Sequence, residues 1–279
     1  MKTTKLKLLT ILIVISTGAY PQHYSPGIKV NQGQVYSYEL NATTEATQSF
    51  GGQFMNTTIK QSGIVVDSVS NVFADGRAEI IATLRDLKLI TAMMGQNDTT
   101  NYSGVFATPT QMIYNKYGKI IARNDAVPSE QKSEDVNVSQ ILDMTLFCEY
   151  PEKNIRPGDK WTVESQDSIY QQSLGGTIMI NTVTEYTLGD RENIDGKNLY
   201  KVTFTADMNM NGSGIINGMD LKATGTGTVE GNLYFDPATG VIHQHHSENN
   251  MNINIEVGGP VQMTIPMTQD TKVEISLME

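Results

Sequence analysis

Four pairs of turn-like landmarks recur in the same order along the chain, and they constrain the fold more than any other feature. NQGQVYSYEL at Asn31 to Leu40 matches RPGDKWTVES at Arg156 to Ser165, with Gly33 aligning on Gly158 and Tyr36 on Trp161. Gly51-Gly52 matches Gly175-Gly176, and ADGR at Ala74 to Arg77 matches IDGK at Ile194 to Lys197. MIYNKYGKII at Met112 to Ile121 matches LYFDPATGVI at Leu233 to Ile242. The offsets between partners lie between 120 and 125 residues. Shared order at near-constant offset marks an internal duplication.

Each copy reads as strands. Leu199, Lys201, Thr203 and Thr205 alternate with Tyr200, Val202, Phe204 and Ala206, the period of a half-buried strand. Asp75-Gly76 and Asp195-Gly196 sit between such runs as two-residue hairpin turns. Asp236-Pro237 followed by Gly240 reads as a longer hairpin loop closed by a left-handed glycine. Glu79 to Met94 favours helix by propensity, but its counterpart in the second copy is the strand-like LYKVTFTADMNMN, so a strand is predicted. Between the copies, Val138, Ile141, Leu142, Thr145 and Leu146 share one helical face, with Ser133 as cap and Glu134 and Asp135 in the first turn. That predicts a helix from about Glu134 to Leu146, lying against the sheet. The expected fold is mainly β, two tandem repeats of antiparallel strands forming curved sheets or half-barrels, with one short amphipathic helix between them. The expected divisions are an export signal at 1–19, a first repeat at 20–124, a linker with the helix at 125–157 and a second repeat at 158–279.

The signal is read from Lys2, Lys5 and Lys7, the apolar run Leu8 to Ile15, and the small residues Thr17, Gly18 and Ala19. Cleavage after Ala19 leaves 260 residues and takes the formal charge from −10 to −13, because residues 1–19 hold three lysines and no acid. So acidic a chain repels phosphate backbones, which excludes nucleic acid as a partner. No later run is apolar enough to span a bilayer as a helix, so the mature chain is expected in the periplasm or outside the cell. No cysteine follows the apolar run, so no lipid anchor is expected. Cys148, the one cysteine, is flanked by hydrophobes and reads as buried.

Thr224 to Gly231 places Gly225, Gly227 and Val229 on one strand face, a bare backbone wall suited to tight curvature or to a ligand. These three, with Ile141 and Leu142 of the helix, are the candidate ligand-binding residues. His243 and His245 share a strand face while His246 points away, so the trio offers at most two ligands to one metal and no metal is expected. Gly212, Gly214 and Gly218 lack a nucleotide-binding spacing, and no cofactor is expected. No nucleophile elbow, zincin helix or Cys–His couple is present, so no catalytic residue is assigned. Asp67-Ser68-Val69, Asp98-Thr99-Thr100 and Asp167-Ser168-Ile169 resemble an O-glycosylation acceptor of some Gram-negative envelopes.

Tyr150-Pro151, then Pro157-Gly158-Asp159-Lys160-Trp161, then Tyr234-Phe235-Asp236 with Gly240, resemble an uncharacterised family of exported proteins from Gram-negative bacteria of the Bacteroidota type. The resemblance implies export, but no activity and no site residues. Many members carry an anchor cysteine that this chain lacks. A curved antiparallel sheet crossed by a helix is also similar to the periplasmic lipoprotein-carrier folds, which hold acyl chains in a hollow half-barrel. The reading favoured by these features is a non-catalytic envelope protein binding an apolar, lipid-like ligand. The alternative is a structural module that pairs its strand edges with another envelope protein. A hydrolase using a carboxylate pair is a minor alternative, and an outer-membrane barrel is disfavoured at 7% aromatic residues.

Overall fold

Threonine, valine and isoleucine alternating with polar residues dictate long strands, and short turns make most of them pair with the strand before. The computed structural model describes residues 23–124, 138–171, 175–216, 218–259 and 262–278. The predicted signal and the predicted cap at Ser133 to Asp135 lie outside the described residues. The strands are β1 (Val35–Phe50), β2 (Gln53–Val72), β3 (Ala78–Met93), β4 (Gln96–Val105), β5 (Thr110–Tyr114) and β6 (Ile120–Arg123), then α1 (Val138–Asp143). The second half holds β7 (Lys160–Gln171), β8 (Gly176–Ile194), β9 (Lys197–Ile216), β10 (Met219–Phe235), β11 (Ile242–Val257) and β12 (Met263–Leu277).

All 12 strands form one antiparallel sheet in the order β6-β5-β3-β2-β1-β12-β11-β10-β9-β8-β7, with β4 beside β3. The two halves are therefore fused rather than stacked: β1 lies against β12, with Leu40 opposite Ile275 and Ala42 opposite Val273. The sheet curves without closing into a barrel, and β6 and β7 end it. Ala78–Met93 is a strand despite its helical composition, because its ladder to β2 gives every second side chain a place in the core.

The paired turns are built alike. Gly33 (φ 87°) and Gly158 (φ 92°) each hold a position that a side chain adopts at a cost. Gly33 N donates to Val69 O at 2.9 Å and Val69 N to Gln34 O at 2.9 Å. Gly158 N donates to Leu188 O at 2.7 Å and Leu188 N to Asp159 O at 3.0 Å. The Pro-Gly-Asp-x-Trp motif is thus a strand starter: Arg156-Pro157-Gly158-Asp159 forms the turn, and Trp161 stacks on Tyr186 with centroids 5.3 Å apart. One expected turn differs. Asp195 and Gly196 both have positive φ, as a two-residue hairpin requires, but Phe73 N donates to Arg77 O, leaving a three-residue loop at Asp75-Gly76 in which Gly76 is left-handed and Asp75 is not.

Within the described residues α1 runs from Val138 to Asp143 and ends three residues before the predicted Leu146, while the predicted start at Glu134 lies outside the described residues. Val138, Leu142 and Leu146 are buried in the core of the first half with Leu40, Ile80 and Phe106. A second core gathers Tyr24, Tyr150, Tyr200 and Phe235, and Trp161 Nε1 donates to Glu149 O at 2.9 Å. Cys148 is buried there, and burial pushes its thiol far above the ordinary range. Alkylation of the native protein at pH 8 should run on the order of 100-fold or more slower than in denaturant, measured by intact mass. Among the described residues no helix is long and apolar enough to cross a membrane. The outer face of the second half is polar, with Thr205, Asp207, Asn209, Thr226, Thr228 and Asn252 directed away from the core.

Candidate functional site

Inward-facing side chains do not fill the curve of the sheet. A cavity of about 980 Å³ lies on the concave side and touches both halves and α1. Consecutive residues at both ends of the sheet border it, Gly118 to Arg123 in the turn before β6 and β6 itself, and Val163 to Ser168 in β7. A separate hollow of about 380 Å³ over Gly227 is lined mainly by outward Asp207, Asn209, Thr226 and Asn250 and offers little apolar wall.

The large cavity has two kinds of wall. Leu40, Phe147, Phe204, Leu233 and Ile242 give one end an apolar lining. Beside it runs a polar belt across three strands, where Asn249, Thr271 and Thr44 are cross-strand neighbours. Thr44 Oγ1 and Thr271 Oγ1 are 3.1 Å apart, and Gln269 Nε2 donates to Thr271 Oγ1 at 3.2 Å. Gln61 extends the belt onto β2. Three side chains of this wall hold buried polar atoms with no hydrogen-bond partner among the described residues: His245 Nε2, Asn249 Oδ1 and Gln61 Nε2. Burial pushes the His245 imidazole down to about 4, with adjacent His246 contributing, so it is neutral at pH 7. At the rim, Lys119 Nζ lies 3.1 Å from Glu149 and Arg123 Nη1 lies 2.6 Å from Asp143.

The predicted site residues separate. Val229 and Ile141 line the cavity. Leu142 is buried in the first core instead. Gly225 and Gly227 face inward, but neighbours fill the space their side chains vacate: Met210 Cε lies 3.2 Å from the Cβ position at Gly225, and Met251 Cγ and Met208 Cε lie 2.8 and 3.3 Å from that at Gly227. The glycines make room for a methionine layer, capped by Ile253. His243 and His245 do not share a face. Phe235 pairs with Ile242 and Tyr234 with Gln244, so His243 is the extra residue of a bulge and the alternation shifts. Of the histidines, His245 lines the cavity, its ring 5.5 Å from that of Phe204. Among the described residues no group of three His, Cys, Asp or Glu side chains is placed to hold a metal. The belt residues Gln61, Asn249, Thr271 and Thr44 were missed, although polar residues at inward positions of a strand whose other inward positions are Met251 and Ile253 are a readable signal.

Asp67 on β2 is fully buried outside the cavity. Neighbouring Thr145 Oγ1 donates to Leu142 O at 3.0 Å, which leaves neither carboxyl oxygen a well-formed hydrogen bond among the described residues, although the nearby hydroxyl offsets part of the effect of burial. Burial pushes its pKa up to about 7. The aspartate of the first glycosylation-like motif is thus sealed in the folded chain.

Residues 130–242, 113 of the 279, match the model of a family of unknown function, DUF6263. No curated protein matches the chain. Among solved structures, one titled for lipid–protein interactions in lipovitellin is similar over 90% of this chain, at 12% identity and a TM-score of 0.50. The chain spans 26% of that protein's length, and the likeness is one of fold. The OccK2 (OpdF) protein of Pseudomonas aeruginosa aligns over 89% of this chain and 100% of its own, at 8% identity and a TM-score of 0.30. An outer-membrane channel of Pseudomonas putida F1 aligns over 88% and 97%, at 8% identity and a TM-score of 0.28. Scores that low do not establish a shared fold.

Proposed function

We propose that this chain is an exported envelope protein that binds a lipid-like molecule in the hollow of its curved sheet. The observation that carries the reading is the cavity of about 980 Å³, walled by both halves and bordered by β6 and β7. Small-molecule ligands occupy concave, mostly apolar sites of ~300–1,000 Å³. Lipovitellin, similar in fold, interacts with lipid, which supports the reading by analogy. Export rests on the basic and apolar order of residues 1–19, and the periplasm or the cell exterior is the expected site of action.

The test is to express the chain with its own leader in a Gram-negative host, purify it, and compare native with denaturing mass spectra. A native-only excess of several hundred daltons that extracts into organic solvent is the expected result. A bare mass, with no uptake of added lipid, would sink the carrier reading. It would leave the edge-pairing module ahead, for which β7 offers 12 residues with no strand partner on their outer side among the described residues.

A further inference from the structure

We infer that the occupant of the cavity is an uncharged amphiphile, a lipid whose head carries hydroxyl or amide groups and neither phosphate nor carboxylate, held by the polar belt of Asn249, Thr271, Thr44 and Gln61. This rests on the carrier reading above and names its ligand class. The wall itself disfavours three alternatives.

A pure hydrocarbon would press against the belt and leave its polar groups dry, which costs binding free energy for every group without a partner. Asn249 Oδ1 and Gln61 Nε2 lack a hydrogen-bond partner among the described residues, and both residues line the cavity, where a ligand hydroxyl could supply one. An anionic lipid fares worse. Among the described residues the charged lining residues besides His245 are Lys119, Arg123, Asp143, Glu149, Glu164 and Asp167, and Glu164 is exposed on the outer face of β7. Lys119 is already bridged to Glu149 and Arg123 to Asp143, so a carboxylate or phosphate entering the hollow would find both of these cations paired and would face Asp167. A cationic head would leave its charge uncompensated in the belt, because the carboxylates sit on end strand β7, on α1 and in the segment after α1. His245 is neutral at its depth and supplies a donor and an acceptor rather than a charge.

The probes are 1-monolauroylglycerol, laurate and dodecane, titrated into lipid-stripped full-length protein at pH 8 below their aggregation limits. Trp161, the one tryptophan, stacks on cavity-lining Tyr186 and reports occupancy by fluorescence, with native mass as the second readout. Monolauroylglycerol should bind one to one, and laurate and dodecane at least about tenfold more weakly. Asn249→Leu should weaken monolauroylglycerol by about tenfold and leave dodecane unchanged or tighter. Gln61→Leu, on another strand, serves if Asn249→Leu unfolds at a lower urea concentration. Equal or tighter binding of laurate, or indifference of monolauroylglycerol to both variants, overturns this inference while the carrier reading stands. Failure of all three probes to bind removes both.

Discussion

Asp67→Asn is expected to raise the free energy of unfolding at pH 8 by about 2 to 4 kcal/mol and to leave it nearly unchanged at pH 4. Burial lifts this carboxyl from 3.8 to about 7 in the folded chain, while the unfolded chain keeps the ordinary value. Between those values the folded state holds a proton that the unfolded state has lost. Stability from Asp67 is therefore fully present below about pH 4 and is lost as pH rises through 7, at roughly 1.4 kcal/mol for each pH unit crossed between the two values. Asparagine cannot ionise, so the variant should lack this component, and the difference between the two proteins should grow across the window. Urea midpoints at pH 4, 6 and 8 measure both curves. Parallel curves for the two proteins would mean that Asp67 gains a hydrogen-bond donor in solution.

Gly118→Ala should lower stability by about 3 kcal/mol or more, enough to abolish a cooperative transition in a marginal host. Gly118 has φ of 84°, and a Cβ there would press into the Cys148 carbonyl, far inside van der Waals contact with its oxygen. Backbone lies on both sides of this contact. The turn is pinned by Asn115, whose Oδ1 accepts from Tyr117 N and Lys119 N, and the segment after α1 is pinned by Tyr150 N donating to Tyr117 O at 2.8 Å. Gly33→Ala is the control, with similar φ and nothing near its Cβ position, and should cost only about 1 kcal/mol. Equal losses in the two variants would assign the whole effect to φ rather than to close packing.

Strand positions and turns were legible because their chemistry is local. Glycines at left-handed turn positions repeat at near-constant offsets, and a strand between two such turns has few other places to go. Ala78–Met93 was recoverable only through its counterpart in the second copy, since its own composition argues for helix. The difference between Asp75-Gly76 and Asp195-Gly196 was not readable: both dipeptides suit a tight hairpin, and the ladder register on either side decides the loop length. The candidate site was less legible for a similar reason. A single bulge at His243 moves His243 off the inward face, and no local residue type announces it. Gly225 and Gly227 were read as a bare backbone wall, yet whether methionine or ligand fills the space beside them depends on strands β9 and β11. The fusion of two halves into one sheet was equally hidden, because nothing in β1 or β12 alone names its partner across more than two hundred residues.

That β1–β12 pairing has a kinetic consequence. Each half is a run of neighbouring hairpins able to form soon after its residues are made, whereas the seam at the middle of the sheet joins Tyr38 to Leu277 and Gln48 to Met267. The central ladder must therefore be the last to close, whatever the speed of the hairpins, and until then the first half presents β1 as a bare strand of 16 residues. A chain so ordered meets its greatest hazard of misassociation after most of its native hydrogen bonds exist, and its folding rate is governed by the meeting of two preformed sheets.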